Sequence, residues 1–386
     1  MTSRATAANA VEVVVVGGGV LGAAAAYALC ERGLRDVVVL EAEDRPGRHS
    51  TARSVAYFIP MYESSAFALL AKASIAFLRD PPGAFAARPI LDEKGALVAS
   101  TDAGVQALEH EIDEARALGV PIVEVPRAEI RDRVPIARAD LLAKAAFYPT
   151  AGEIDVDALF QGFIAGARRE GAQFITHCRF LGARISRGAV THALTSQGPI
   201  ACRHIVNAAG AWAGEVGRAS NAMAIAFDAL RRHIVSIDLP AEHAAAQWPF
   251  FRCPSIPLFC KPAQGKLLAS PMDAESDAPG DCQVRPATVA ATLAAVNRYT
   301  TLQADRVASA IAGHRSFARS KLPVVGPDTA IEGFHWAAGL GGAGIMAAPA
   351  VGRIVADGVL GRARDSAWDE IAPARSLGAL RAAAPR

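Results

Sequence analysis

Cysteine is sparse in this sequence and one-sided charge is missing, and each lack removes a class of function. Cys30, Cys178, Cys202, Cys253, Cys260 and Cys282 stand singly along 386 residues. That spacing fits neither a disulfide framework nor a zinc ribbon, and it reads as reduced thiols of a cytoplasmic protein. Forty lysines and arginines against 38 acids leave a formal charge of +2. There is no basic excess to hold nucleic acid and no basic block for anionic lipid. Charged residues make up only 20% and hydrophobic ones 52%, which excludes a disordered chain and supplies cores for two or three domains. Neither a nucleophile elbow nor a phosphate loop is present.

One long uncharged run resembles a membrane span. Residues 13–30 carry no charge, close to the length a bilayer requires. Gly17-Gly18-Gly19 interrupts the run, after four valines that favour strand and before an alanine-rich stretch that favours helix. A strand, tight turn and helix is the better reading, and no transmembrane segment is expected. Arg4 is the only cation upstream, a poor fit to a secretory signal. The expected location is the cytoplasm, with peripheral contact at the inner membrane left open as a route for electrons.

Residues 12–16 read as a buried strand, 21–32 as a helix and 37–40 as a second strand. This βαβ unit implies a parallel sheet. A loop rich in charge, glycine and hydroxyls fills 43–53. Phe67, Leu70, Ser74 and Phe77 recur at helical spacing over 64–80, and Pro81-Pro82 ends that helix. From about Gly83 the chain turns to short apolar runs, prolines and one helix at 102–118. Gly152-Glu-Ile-Asp155-Val-Asp157 caps a helix over 156–171. Strands are expected at 174–180, 188–196 and 204–206, and residues 227–315 read as β-rich. A last apolar helix, 345–360, follows Gly339-Leu-Gly341-Gly342-Ala-Gly344. The first ten residues and the tail after about 375 read as unstructured. The fold class is α/β, α+β overall: a discontinuous Rossmann-like domain (1–82, 150–220 and 316–386) carries an inserted domain of antiparallel sheet and helices (83–149 and 221–315).

Gly17-x-Gly19-x-x-Gly22 lies between the first strand and the first helix. The first glycine permits the turn, the second lets backbone approach a pyrophosphate, and the third lets helix pack on strand. The helix N-terminus, near Leu21, adds free N–H groups and partial positive charge. Glu41, followed by Ala42, ends the second strand nineteen residues after Gly22, where a carboxylate accepts from ribose hydroxyls. The chain then returns through Pro46-Gly-Arg-His-Ser50-Thr51-Ala52-Arg53-Ser54, a run of donors suited to a cofactor with a long tail and a ring system. The C-terminal glycine cluster points a second helix N-terminus at the ring, where a reduced flavin gathers negative charge. No second βαβ unit with such a glycine turn and a strand-end acid exists for a separate nicotinamide nucleotide. These features favour FAD.

The motifs resemble the FAD-dependent D-amino-acid oxidase and dehydrogenase superfamily, which includes glycine and sarcosine oxidases, and most nearly its bacterial D-arginine dehydrogenase branch. The likeness runs from about Val11 to Gly361. It rests on the segments above together with Asp80-Pro-Pro, Ile154-Asp-Val-Asp157, Asn207-Ala-Ala-Gly-Ala-Trp212, Arg231-Arg232, Lys261-Pro262, Gly313-His-Arg315-Ser-Phe317 and Gly341-Gly-Ala-Gly-Ile345. The resemblance implies that Ser50 through Val55, Ala56 and Tyr57 lie along FAD. It places the backbone of Phe180 by the adenine and Gly341, Gly342, Ala343, Gly344, Ile345 and Met346 around the flavin. It further implies that Arg232 and Arg315 bind the substrate carboxylate and that Tyr62 adds a hydrogen bond. An arginine fork suits a carboxylate in a way lysine does not.

Departures from that branch matter as much. An acidic lid residue aligns with Ala96, a histidine near the amine with Tyr57, a following threonine with Ile59, a pocket tyrosine with Phe259 and a pocket methionine with Phe250. A lysine that promotes oxygen reaction in sarcosine-type oxidases aligns with Leu267, beside Lys266, which favours a dehydrogenase over an oxidase. No cysteine stands in 313–326, where certain relatives tether the flavin, so FAD is expected to be non-covalent. His233 and His314 alternate away from the arginines beside them and read as structural. His110-Glu-Ile-Asp113 reads as exposed surface, and Cys253 and Cys260 lack metal-ligand spacing.

The expected function is oxidative deamination of an apolar or small D-amino acid, rather than D-arginine, to the 2-oxo acid and ammonia by hydride transfer to flavin N5. Electrons would leave to an acceptor of unknown identity, a quinone or an electron-transfer protein. The alternatives are an oxidase of glycine or sarcosine-type secondary amines, and a flavoprotein subunit of a multi-chain amine dehydrogenase.

Overall fold

The computed structural model describes residues 10–243, 245, 247–363 and 365–376. The expected unstructured lead and tail lie outside these, apart from Ala10 and the buried Ser376, whose hydroxyl meets that of Ser320 at 3.0 Å.

Strand Val11–Val16, helix Val20–Glu31 and strand Val37–Leu40 form the βαβ unit. Five parallel strands run side by side in the order Gln173–Ile175, Val37–Leu40, Val11–Val16, Gly198–Asn207 and Phe334–Ala338. Val324–Pro327 pairs antiparallel at one edge. The expected strand over 174–180 is two strands. Gln173–Ile175 joins the parallel sheet, while Phe180–Ser186 pairs antiparallel with Ala189–Thr195. His177 between them has φ +52°, a turn conformation that breaks the ladder.

Helix Val20–Glu31 is buried on nearly every side because it lies under the sheet and against helices Val156–Arg169 and Gly344–Val359. This placement explains the uncharged run without any membrane, since a helix apolar all round is a buried one. Among the described residues, no helix is long and apolar enough to cross a membrane.

A nine-stranded mixed sheet makes the second layer. Alternation gives it two faces. Leu97, Ala145, Phe251, Cys260 and Leu267 pack on one face together with Val296 of helix Pro286–Tyr299. That helix falls inside the stretch expected to be β-rich; its Ala-rich, Pro-started sequence outweighs the β-prone flanks. Ala96, Val98, Tyr148, Phe250 and Phe259 face the other way, against Leu108, Ile112 and Ala115 of helix Val105–Ala117. The domain boundary expected at 315/316 falls inside one strand, Ser309–Ala318. A three-stranded sheet, Tyr57–Phe58, Gly152–Ile154 and Leu91–Asp92, links the two layers.

Candidate active site

All five parallel strands end at one cavity of about 730 Å³. Val16 and Gly17, Leu40 and Glu41, Cys178 to Phe180, Ala208 to Trp212, and Ala338 to Gly342 line it from successive carboxyl ends. Ligands of open α/β sheets bind in this crevice.

The glycines earn their places sterically. Gly17 has φ +103°, and a Cβ there would lie 2.6 Å from the Ala208 carbonyl oxygen. A Cβ on Gly22 would lie 1.9 Å from the Gly17 oxygen. Helix Val20–Glu31 starts at the cavity with no acid in its first turn, and so does Gly344–Val359, so both positive helix ends are available to an anion or an electron-rich ring. The Val20 N–H is capped by the Thr51 hydroxyl at 3.1 Å. Glu41 is buried, and its carboxylate accepts from the N–H groups of Gly18 (3.1 Å) and Glu43 (3.0 Å). It is thereby fixed at the strand end with lone pairs left for hydroxyls. The cavity is lined by glycines and by two helix N-termini, which fits a dinucleotide with a ring system.

Of the expected cofactor residues, Gly17, Gly19, Leu21, Glu41, Ala42, Ser50, Thr51, Ser54, Phe180, Gly341, Gly342, Gly344 and Ile345 line this cavity. Val55, Ala56, Tyr57 and Met346 line an adjoining one instead. Gly22, Ala52, Arg53 and Ala343 line neither. Gly22 serves packing. Arg53 turns its guanidinium to Asp281 and to the carbonyls of Ala312 (3.1 Å) and Cys282 (3.3 Å). His49 and Trp212, from the donor run and the Asn207–Trp212 segment, also line the large cavity, as do residues 279–281, which nothing in their local sequence marks.

The second cavity, about 400 Å³, meets the first at Ser54, Arg315, Gly342 and Ile345. Its cationic end comes from one antiparallel strand pair, Phe227–Asp238 with Ser309–Ala318. Arg232 sits opposite Gly313 and Leu230 opposite Arg315, so the two arginines share a face as diagonal neighbours with backbones about 7–8 Å apart. Arg315 is buried, and it donates to the carbonyls of Arg53 (2.8 Å) and His314 (3.1 Å). Arg232 donates from Nε to the Asp273 carbonyl at 2.6 Å. Among the described residues neither guanidinium pairs with a carboxylate. Burial, with the charge of Arg232 next, lowers the Arg315 pKa from 12.5 to about 10. Two adjoining cations without an anion define an anion site.

The Tyr62 hydroxyl accepts from the Gly342 N–H at 3.0 Å, which leaves its own hydrogen to donate. Burial raises its pKa, so it stays a phenol. Tyr57 stacks on Phe250 at 4.8 Å, and Phe250 meets Phe259 at 5.1 Å; the three rings form the cavity's apolar wall. The Tyr57 hydroxyl donates to the Gly95 carbonyl at 2.7 Å and accepts from the Phe250 N–H at 3.3 Å. It is held in the wall rather than offered to a ligand amine.

Two expectations are corrected here. Ala96 is no lid. It lies fully buried on strand Ala96–Ser100, paired with Phe250 and Tyr148, and lines neither cavity. His110 and Asp113 are exposed as expected, but Ile112 is buried, and Ala107, His110, Glu111 and Glu114 line the small cavity. The spacing of these four, three or four apart, marks one helix face. Arg252, two residues beyond Phe250 on the same strand face, reaches both carboxylate oxygens of Glu111 at 2.6 and 2.7 Å. Glu111 also accepts from the Tyr148 hydroxyl at 2.8 Å.

Other expectations hold in their geometry. His233 and His314 point away from the small cavity into Asp273 and Asp277. Leu267 is core and Lys266 pairs with Asp238, and neither lines a cavity. Asp277, Cys282 and His314 bring ligand atoms within 4.8 Å of one another. The Arg231 guanidinium already neutralises Asp277 at 2.7 Å, which disfavours a cation there.

Comparison with known proteins agrees with this geometry. Residues 12–358 match the family described as FAD dependent oxidoreductase, DAO, and the chain belongs to that family. FAD is its cofactor, and it is an enzyme of the FAD-dependent oxidoreductase type. It is 25% identical to FAD-dependent oxidoreductase domain-containing protein 1 of Bos taurus, over 90% of this chain and 81% of that protein. It is 22% identical to the mitochondrial dimethylglycine dehydrogenase of Mus musculus, spanning 90% of this chain but only 42% of the relative. L-proline dehydrogenase from P. horikoshii superposes with a TM-score of 0.84 at 21% identity, covering 95% of this chain and 97% of that one. Glycine oxidase from Geobacillus kaustophilus gives 0.82 at 23% identity, covering 94% and 97%. Identities this low speak for the fold alone.

Proposed function

We propose that this flavoprotein oxidises the amine of a free amino acid, of D configuration with an apolar or aromatic side chain, to the 2-oxo acid and ammonia. The observation that carries the reading is the pair of unneutralised arginines, Arg232 and Arg315, where the small cavity opens onto the large one. A carboxylate held there by paired, charge-assisted hydrogen bonds, with the Tyr62 hydroxyl as a further donor, has its Cα fixed at the junction. FAD, when bound, supplies the two-electron acceptor. The residues of the chain orient the substrate and exclude water. Loss of hydride from Cα and a proton from nitrogen leaves an imine, which water converts to the 2-oxo acid and ammonia. The amine must be neutral for its lone pair to assist.

The Tyr57, Phe250 and Phe259 rings favour an apolar body next to Cα. The sequence likeness to D-arginine dehydrogenases extends to the arginine pair but not to these wall positions. Among the described residues no lysine lines either cavity, which supports a dehydrogenase over an oxidase. Six buried free thiols support a cytoplasmic location.

A second reading is N-methyl amine oxidation, which the names of the dimethylglycine and sarcosine dehydrogenases among the relatives favour. Anaerobic titration decides between the readings. Bleaching of the flavin bands by apolar D-amino acids, with 2-oxo acid and ammonia formed in equal amounts, is expected. Bleaching by sarcosine or dimethylglycine alone would replace the proposal with the second reading, and bleaching by L-amino acids alone would overturn the configuration.

A further inference from the structure

We infer that Asp273 is a positioning residue for the substrate carboxylate, acting through Arg232. The inference rests on the reading of Arg232 as a carboxylate-binding residue. Arg232 makes one hydrogen bond among the described residues, from Nε to the Asp273 carbonyl oxygen. A guanidinium is a rigid plane, so fixing the Nε–H direction fixes where both terminal nitrogens point. Those nitrogens are left for the cavity.

Asp273 is itself held from the opposite face of the strand. One carboxylate oxygen accepts from the His233 backbone N–H at 2.8 Å, and the other meets His233 Nδ1 at 2.7 Å. The backbone N–H of Arg285 donates to His233 Nε2 at 2.8 Å. A backbone N–H only donates, so Nε2 carries the lone pair and Nδ1 the hydrogen. The imidazole, fully buried, is therefore locked in the tautomer that donates to Asp273. Arg232 and His233 are neighbours on one strand and point to opposite faces. Asp273 grips both, its carbonyl on the cavity side and its carboxylate on the other.

The backbone before Asp273 needs such a hold. Met272, which lines the small cavity, has φ +54°, a left-handed conformation that persists for a residue with a side chain only where its surroundings enforce it. Beyond Asp273 the same segment is fixed by Glu275 and Asp277 on Arg231, at 2.9 and 2.7 Å. A segment held at both ends places one carbonyl under Arg232.

The test uses FAD-loaded protein and benzoate as the carboxylate probe, with binding read from perturbation of the flavin absorption. Asp273→Asn keeps the shape but sets an amide N–H₂ against a donor. The benzoate Kd and the amino-acid KM are expected to rise together about tenfold or more, with kcat changed less than about threefold. Arg232→Ala weakens benzoate at least as much, and the double variant loses no more than Arg232→Ala alone, because both changes remove one function. Unchanged benzoate binding in Asp273→Asn, or additive losses in the double variant, would overturn this inference alone. Unchanged binding in Arg232→Ala would overturn the carboxylate reading, and the inference with it. Should Asp273→Asn fail to load FAD, His233→Asn and His233→Leu decide. Asparagine still offers a donor to Asp273 where leucine offers none, so the asparagine variant is expected to bind benzoate tighter by about the same tenfold, and equal binding would count against the inference.

Discussion

Arg315 does two jobs that lysine cannot share. It donates to the Arg53 and His314 carbonyls through its two terminal nitrogens, and its remaining N–H groups are left for a carboxylate at the junction of the cavities. Lysine has one nitrogen and no plane, so it would hold a carboxylate or the carbonyls but not both. Arg315→Lys is expected to raise the amino-acid KM about 10- to 100-fold, the loss of one or two charge-assisted hydrogen bonds, with flavin still bound. Loss of FAD on purification would mean that Arg315 belongs to the cofactor site. Arg232, Arg315 and Tyr62 were legible in the sequence only through resemblance, because an arginine by itself reads as a surface charge. The glycine motif and Glu41 were legible on physical grounds, since turn, close approach and strand-end carboxylate each demand a residue type. Glu111 was read as surface, and Glu114 and Arg252 escaped notice. Their helix face mixes acids with apolar residues, and a sequence cannot say that such a face looks onto a cavity rather than water.

At the scale of elements, helix Val105–Ala117 makes exposed ion pairs to the sheet through Glu109 and Arg116, and its least exposed polar tie runs through Glu111. Glu111 accepts from Arg252 and from the Tyr148 hydroxyl, and all three side chains are largely buried. Removing the carboxylate strands a cation and a phenol together. Glu111→Ala should lower stability by about 1–3 kcal/mol, read as a fall in the denaturant midpoint of FAD-loaded protein. An unchanged midpoint would show that water replaces the carboxylate without cost. The Gly344–Val359 helix was expected within one residue of its observed start, because glycines before an apolar run mark it plainly. Helix Pro286–Tyr299 was missed. Its apolar residues give little amphipathic contrast, and its neighbours in sequence all form strands, so local pattern and local context disagreed.

For the whole molecule, the two layers meet where the cavities meet, and the electrostatics of that junction set a pH dependence. Burial and the charge of Arg232 hold the Arg315 pKa near 10 rather than 12.5. The protonated form is the one that binds a carboxylate. As pH rises through about 10 that charge is lost, so kcat/KM should fall on the alkaline side, while on the acid side it should rise as the substrate amine loses its proton. Arg232→Ala removes one of the two named causes of the depression and should move the alkaline limb to higher pH. A profile measured from about pH 7 to pH 11 checks both, and an alkaline limb that does not move would assign it to another group. The parallel sheet, the glycine turn, the strand-end acid and the membrane-free reading of residues 13–30 were set by the sequence alone, because strand and helix propensity and glycine sterics act over a few neighbouring residues. Only the tertiary structure decided that Ala96 is core, that a helix read as surface also lines a cavity, and that the Asp273 carbonyl meets Arg232. Those facts depend on which strands pair and in what register, and register brings together residues that are tens of positions apart in the chain.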